Sequence, residues 1–478
     1  MTKFIRPTLE DEPMTIRTIE AGPSKRFFVE MLPRDISLEH AVLDLVDNSL
    51  DGAIRQRINE IRLGSAEPYK DLYCELKFSA DEFEISDNCG GIPADRIDAA
   101  LKLGRDDPSI DSDKPTIGMY GIGMKRSIFK ISADSTVVSK SSTATTRVNY
   151  DKEWMNPDNP KWTLDLDETM PVANGHGVMI TANELWPNIS RTFASKSFFD
   201  DLVRTISRYY AYVIEKGFSI IVNGKKVPAL PVEFRFDDQK VSPFYYEATS
   251  GGVAVRVIVG LFRKLTKEDE REDAIASNDG LETGGLRAGI TVVCNDRVIT
   301  YADTSSVTGW GMGNVPRYHP QFRSIAGIII FESDDARTLP VSTTKGALDL
   351  DDGAYVVGLN AAMEGIKTFT DYTNRAKGRE ETTDAIIDSA SKYSIAQVTD
   401  SLRSSARVVR NSNGAAKKVV ATLPVIERKN PIGRIAFTRD KSEIERVAEL
   451  LGLSASEKPG VVGEQVWTDL ARKLGVIE

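Results

Sequence analysis

Apolar residues recur at four-residue spacing from Val42 through Val46, Leu50 and Ile54 to Ile58, the pattern of one buried face of a helix. A second stripe on the same segment is polar. Asp44, Asn48 and Asp51 stand at i, i+4 and i+7, so they stack along one face while the apolar stripe packs away from them. Ser37 is placed to cap this helix. Residues 73–78 and 82–86 read as strands entering a turn, and Pro93 falls in the first turn of the next helix. A helix is expected from Lys196 to about Lys216, and a strand over 218–222 then closes a first domain, 37–227. A second domain, 228–375, carries strands at 252–261, 289–294, 297–302 and 325–331, with Asn295-Asp296 as a hairpin turn. Residues 1–36, with Pro13, Pro23 and Pro33, read as an extended arm; 376–430 as a helix over 380–408 and a linker; 431–478 as a small α-rich module.

Three polar segments carry chemistry. In Asp44-Leu-Val-Asp-Asn48-Ser-Leu-Asp51-Gly-Ala53, Asn48 offers an amide oxygen, a hard neutral ligand of the kind Mg²⁺ accepts while keeping waters and phosphate oxygens. In Asp87-Asn-Cys-Gly-Gly91-Ile-Pro a carboxylate ends a strand and enters a sharp glycine turn, where it can accept a hydrogen bond from an amino group. In Gly118-Met-Tyr-Gly121-Ile-Gly123-Met-Lys125 the glycines let backbone approach phosphates closely. The helix expected from Met124 to Ile131 points an anion-favouring N-terminus there, with Lys125 as an added point charge. Two other phosphate motifs are excluded: Met124 stands where the Walker pattern needs lysine, and Arg126 stands where the dinucleotide pattern needs its last glycine.

In this order and spacing the three segments resemble the GHKL ATPase superfamily, named for gyrase B, the large heat-shock chaperone, histidine kinases and MutL. MutL, MORC and prokaryotic relatives opening on a phrase like "DLVDNS" are the nearest in look, and the likeness spans about residues 20–375. The resemblance implies an α+β chain: a Bergerat α/β sandwich that binds ATP, then a ribosomal-protein-like α/β transducer domain, then a small mainly helical C-terminal region. It implies Asp44 as general base, Asn48 as ligand of Mg²⁺, Asp87 on the adenine amino group, and a lid over 103–118. The remaining nucleotide contacts it implies are Asp51, Gly91, Gly118, Tyr120, Gly121, Ile122, Gly123, Met124 and Lys125, with Lys345 in the loop Leu339-Pro-Val-Ser-Thr-Thr-Lys345-Gly reaching the γ-phosphate. The chain departs from the family pattern at three places. Asp44 stands where hydrolysing members have glutamate, one methylene longer, so slow turnover is expected. Cys89 replaces the middle glycine of D-x-G-x-G, and Val178 replaces the threonine of G-T-x-I, which moves a water-mediated adenine contact to Thr181.

Composition narrows the setting. The 478 residues are 41% hydrophobic and 27% charged, ordinary for globular domains, and no apolar run approaches membrane length. The polar, acidic N-terminus reads as neither signal peptide nor anchor, and a cytoplasmic protein is expected. Cys74, Cys89 and Cys294 are too few and scattered for a disulfide framework, and His40, His176 and His319 for a metal site. A net charge of −9 excludes an overall basic coat. It leaves room for a local patch: Arg403, Arg407 and Arg410 at i, i+4 and i+7 of a helix, with Lys417 and Lys418, could lie along DNA, although a solvated face is the commoner meaning of such a run. MutL-type endonuclease and histidine-kinase motifs are missing. The expected protein is an ATPase that forms a homodimer on binding ATP and acts on DNA or a DNA-bound complex in prokaryotic genome maintenance or phage defence. The competing class is an ATP-dependent scaffold or chaperone-like module that captures another protein and barely hydrolyses.

Overall fold

A computed structural model of the chain describes residues 24–104, 114–118, 121–264, 287–342, 345–376, 380–411, 414–426 and 435–477. Most of the expected lid and Tyr120 lie outside them. The strands are β1 (Tyr73–Phe78), β2 (Phe83–Asp87), β3 (Ser135–Lys140), β4 (Thr145–Tyr150), β5 (Leu166–Thr169), β6 (Gly177–Ala182), β7 (Ser219–Val222), β8 (Lys225–Lys226), β9 (Glu233–Phe236), β10 (Phe244–Ser250), β11 (Val253–Leu261), β12 (Gly289–Cys294), β13 (Arg297–Asp303), β14 (Ile325–Glu332), β15 (Ser391–Ser394), β16 (Arg407–Asn411) and β17 (Gly414–Val419). The helices are α1 (Leu38–Gln56), α2 (Ile58–Arg62), α3 (Ile97–Leu101), α4 (Gly123–Ile131), α5 (Pro187–Phe193), α6 (Lys196–Tyr209), α7 (Ala211–Glu215), α8 (Gly353–Ala376), α9 (Glu380–Ser389), α10 (Ile395–Arg403), α11 (Lys441–Leu450) and α12 (Pro459–Lys473).

Among the described residues the first sheet runs in the order β5-β4-β3-β6-β2-β1-β7-β8, and α1, α4 and α6 pack their apolar residues into a core with it. Its strands alternate buried and exposed positions, as in β4, which fits a sheet covered on one side. Ser37 caps α1 by accepting the His40 amide hydrogen at 3.1 Å. Val42, Val46 and Leu50 then pack into a core shared with Leu76 and Ile85 of the sheet, Ile128 of α4 and Leu202 and Ile206 of α6. Burying each such side chain contributes about 1.5–3 kcal/mol. The polar stripe is thereby held on the side of α1 turned away from this core.

The second sheet, within the same compact unit, runs in the order β13-β12-β14-β11-β10-β17-β16. Every residue of β12 is buried, because α8 covers one sheet face and β9, α7 and α10 pack against the other. Gly358 and Gly365 let α8 approach closely: a Cβ on either would lie within 3 Å of Ile329 and Phe331 or of Val259.

Three expectations are corrected. Residues 24–36 do not form an extended arm; they make two short helical turns, Phe27–Met31 and Leu32–Asp35, with Lys25 donating to the Lys161 carbonyl and standing 4.2 Å over the Trp154 ring. The expected helix from Lys196 ends at Tyr209 and resumes as α7. The helix expected over 380–408 holds as α9 and then gives way to β15, α10 and β16; β17 lies in the expected linker, and β16 and β17 complete the second sheet. Residues 427–478 form a separate compact unit, with α11 and α12 in its described part. Among the described residues no helix is long and apolar enough to cross a membrane.

Candidate nucleotide site

The polar face of α1, the turn after β2, the strand β6 and the start of α4 surround a cavity of about 440 Å³. Asp44, Asn48, Asp51, Asp87, Gly91, Gly118, Gly121, Ile122, Gly123, Met124, Lys125 and Lys345 all line it. Thr181 does not. Residues along a strand alternate faces, so Val178 and Ile180 line the cavity and Thr181 faces the other way, which corrects the expectation placed on it.

At one end Asp87 is fixed by short-range donors. Its Oδ2 accepts from Ser49 Oγ at 2.8 Å, and its Oδ1 from the amides of Cys89 at 2.9 Å and Val178 at 3.2 Å. Burial pushes its carboxyl above the ordinary value against the pull of those donors. Gly91, at φ 70°, turns the chain where an added Cβ would lie 2.1 Å from the Lys140 carbonyl oxygen.

Asp51 is a clamp for the glycine segment. Its carboxylate accepts from the amides of Ile117 at 2.7 Å and Gly118 at 2.8 Å, and a Cβ on Gly118 would stand 2.6 Å from Asp51 Oδ2. Burial pushes the Asp51 carboxyl up, opposed by the Lys345 and Arg55 charges and the Ile117 amide. Lys125 is buried and donates to the Ala100 carbonyl at 2.8 Å, so it ties α4 to α3 as well as lining the cavity.

At the other end the charges come in pairs. Asp44 Oδ2 accepts from Arg126 Nη2 at 2.6 Å. Asp47, absent from the sequence expectations, is 1% exposed and accepts from Tyr210 Oη at 2.7 Å, Arg297 Nε at 2.8 Å and Lys345 Nζ at 3.0 Å. Burial alone would raise its pKa, but the Arg297 and Lys345 charges with the Tyr210 and Arg297 hydrogen bonds outweigh it and bring it to about 2. Lys345 moves the other way. Burial disfavours its charge, yet Asp47, Asp51 and Asp44 hold it above the ordinary lysine value. Arg297 begins β13 of the second sheet and Lys345 lies in the loop between Val341 and Leu348, so one carboxylate of α1 binds two cations from far along the chain.

The hairpin tip before β13 adds further contacts. Asn295 Nδ2 donates to the carbonyls of Thr116 at 3.0 Å and Ser333 at 2.9 Å, and Asp296 accepts from Tyr69 Oη at 2.6 Å and Lys216 Nζ at 2.7 Å. The left-handed Asn295 and Asp296, φ 44° and 70°, make the tight turn that their sequence signals.

Among the described residues no cluster of three or more His, Cys, Asp or Glu could cage a metal. The donor set instead suits Mg²⁺ on a triphosphate: Asn48 Nδ2 donates to the Asp44 carbonyl at 2.9 Å, leaving its exposed amide oxygen as a single hard ligand at the cavity.

The arginine face expected to meet DNA is not formed. Arg403 ends α10 and pairs with Glu247 at 2.6 Å, whereas Arg407 and Arg410 lie on β16, where an odd spacing sends them to opposite faces. Lys418, in β17, pairs with Glu364.

No curated protein matches the chain. Residues 36–176, which contain the α1 face, Asp87 and the glycine segment, match the family described as histidine kinase-, DNA gyrase B-, and HSP90-like ATPase. The chain therefore carries a GHKL-type ATP-binding domain.

Proposed function

We propose that this protein is an ATP-operated conformational switch that hydrolyses ATP slowly and dimerises when ATP is bound. One observation carries the reading: Lys345 of the second domain and Asp44 and Asn48 of α1 line the same cavity. A ligand there touches both domains at once, and the terminal phosphate is the part that distinguishes ATP from ADP. Asp87 orients the base. Asn48 would hold Mg²⁺, which when bound offsets phosphate charge. Asp44 accepts the proton of the attacking water, and Lys345 contributes a positive charge to the phosphate end.

The client is proposed from the likeness to MutL and MORC, as DNA or a DNA-bound complex. A scaffold with little turnover is the second reading, favoured by the Asp44–Arg126 pair, which engages the proton acceptor. Titrating wild type and Asn48→Ala with ADP and with a non-hydrolysable ATP analogue, with sedimentation to read dimerisation, tests the switch. Wild type should bind both nucleotides and dimerise only with the analogue, and Asn48→Ala should lose Mg²⁺-dependent affinity. Equal dimer fractions with ADP and analogue would refute a switch driven by the terminal phosphate. DNA capture that weakens steeply with salt supports the DNA client, and salt-insensitive capture of DNA or none sinks it.

A further inference from the structure

Arg126 sits one turn into α4, just beyond the glycine segment, with its side chain 10% exposed. Its Nη2 holds Asp44 at 2.6 Å, while its Nε is buried without a hydrogen-bond partner. Both side chains line the cavity. A buried guanidinium bonded to Asp44 through Nη2 while Nε has no acceptor carries an unrepaid desolvation penalty until one arrives. A phosphate oxygen is such an acceptor, and arginine matches phosphate geometry with two parallel donors. Asp44, meanwhile, has an oxygen engaged by a cation, so it is poorly placed to receive a proton from water.

We propose that Arg126 is a residue that binds the terminal phosphate of ATP and, by doing so, releases Asp44 for proton transfer. This rests on the reading of the cavity as an ATP site. In the structure Arg126 holds Asp44. With ATP bound, the guanidinium turns its Nε and Nη2 donors to the terminal phosphate and gives up Asp44. The water oxygen then bonds to the terminal phosphorus, the bridging P–O bond breaks with its electron pair going to ADP, and the water proton passes to Asp44. ADP offers no terminal phosphate, so the pair re-forms after phosphate leaves. The aspartate and the arginine thus act as one lock that only a triphosphate opens.

The two members of the pair should shift nucleotide preference in opposite directions, which a merely structural ion pair does not do. Affinities for ADP and for a non-hydrolysable ATP analogue are measured calorimetrically on the full chain, with thermal unfolding of each variant alongside. Arg126→Gln should weaken analogue binding about 10- to 100-fold and leave ADP within about twofold, since it removes a charge-assisted phosphate contact. Asp44→Asn should tighten analogue binding relative to ADP by about 3- to 10-fold, because the arginine no longer has to leave a carboxylate. Should Arg126→Gln alone fail to fold, the Asp44→Asn, Arg126→Gln double variant removes both charges and should show the same loss of analogue preference. An unchanged analogue-to-ADP ratio in both single variants, or in the double variant where it replaces Arg126→Gln, overturns the proposal. Failure of the wild type to bind either nucleotide overturns the ATP-site reading instead.

Discussion

At the Asp87 end of the cavity, every group that fixes the carboxylate comes from the first domain: Ser49 one helix away, and the amides of Cys89 and Val178 from the adjoining turn and strand. At the Asp44 end, the charged groups come from α1, from α4 and, through Arg297 and Lys345, from the second domain. The first arrangement is complete within the first sheet, the turn after β2 and the one helix packed against them. The second is held by ion pairs across separate elements, and of these groups Asp44, Arg126 and Lys345 line the cavity, where a phosphate can compete for the two cations. On the proposed reading, affinity for the base and sensitivity to the terminal phosphate fall to different ends, and separate substitutions should reach them.

The strongest way to break this division is at Asp47. Replacing it with alanine leaves Arg297 and Lys345 buried without their carboxylate, and losing one partner of such a cluster costs about 3–5 kcal/mol. Chemical denaturation should register that loss, and a change below about 1 kcal/mol would mean the cluster is not holding the two domains together. The same residue gives a pH signature. Its pKa falls from the ordinary 3.8 to about 2 on folding, so its contribution is fully present above about 3.8 and is lost as pH drops through about 2. By linkage this amounts to about 2 kcal/mol. Asp51 and Asp87 are shifted upward by burial and so act in the opposite sense. The difference between wild type and Asp47→Ala isolates the Asp47 part, which should shrink between about pH 4 and pH 2.

Next in size is Asp87→Asn. The amide keeps the volume and an oxygen for the two backbone donors, and the Ser49 hydroxyl can reverse to accept, so the fold should persist. An acceptor for the base is lost, and both ADP and ATP should bind about 100-fold more weakly. A variant that weakens only ATP would erase the distinction between the two ends.

Lys345→Ala should do the opposite at a smaller scale. Asp47 keeps Arg297 and Tyr210, ADP affinity stays within about twofold, and ATP-analogue affinity with the accompanying dimer fraction falls about tenfold. Equal dimer fractions in wild type and variant would leave Lys345 as a partner of Asp47 only.

The ATP-binding superfamily was legible in the sequence because its signals are local: the α1 stripe, the Asp87 turn and the glycine segment each lie within about ten residues. Asp47 is not legible in the sequence, because the polar face follows i, i+4, i+7 spacing and Asp47 lies off it, beside the apolar Val46. Its partners stand 163, 250 and 298 residues away, at distances no spacing argument reaches. In the sequence Arg126 stands out only as the residue that breaks a dinucleotide pattern. The misread arginine face had a local counter-signal: Val408-Val409 favours strand, and Asn413-Gly414 before Ala415 marks a hairpin, both outweighed by a charge periodicity that also fits an unrelated pair of elements. Thr181 failed for a simpler reason, since its strand partner Glu84 and its neighbour Ile180 fix it on the face away from the cavity.

The smallest effect is expected at Cys89, and it tests how rigid the Asp87 end is. A glycine is required only where the backbone must adopt a left-handed turn or come close to another chain segment. Here the positive φ values fall on Gly90 and Gly91, at 91° and 70°, and Cys89 is not among the left-handed residues. Its backbone amide, which any residue would supply, is what serves Asp87, while its buried thiol lies 3.8 Å from the Tyr73 carbonyl. Burial pushes that thiol well above its ordinary pKa, so it should resist thiolate-directed reagents in the folded protein. Cys89→Gly, which restores the family's glycine, should therefore change ADP and ATP affinity by no more than about twofold and cost about 1 kcal/mol of stability through lost packing and added backbone freedom. A tenfold change in nucleotide affinity would show that the side chain itself shapes the turn, and the Asp87 end would then be less self-contained than its hydrogen bonds make it.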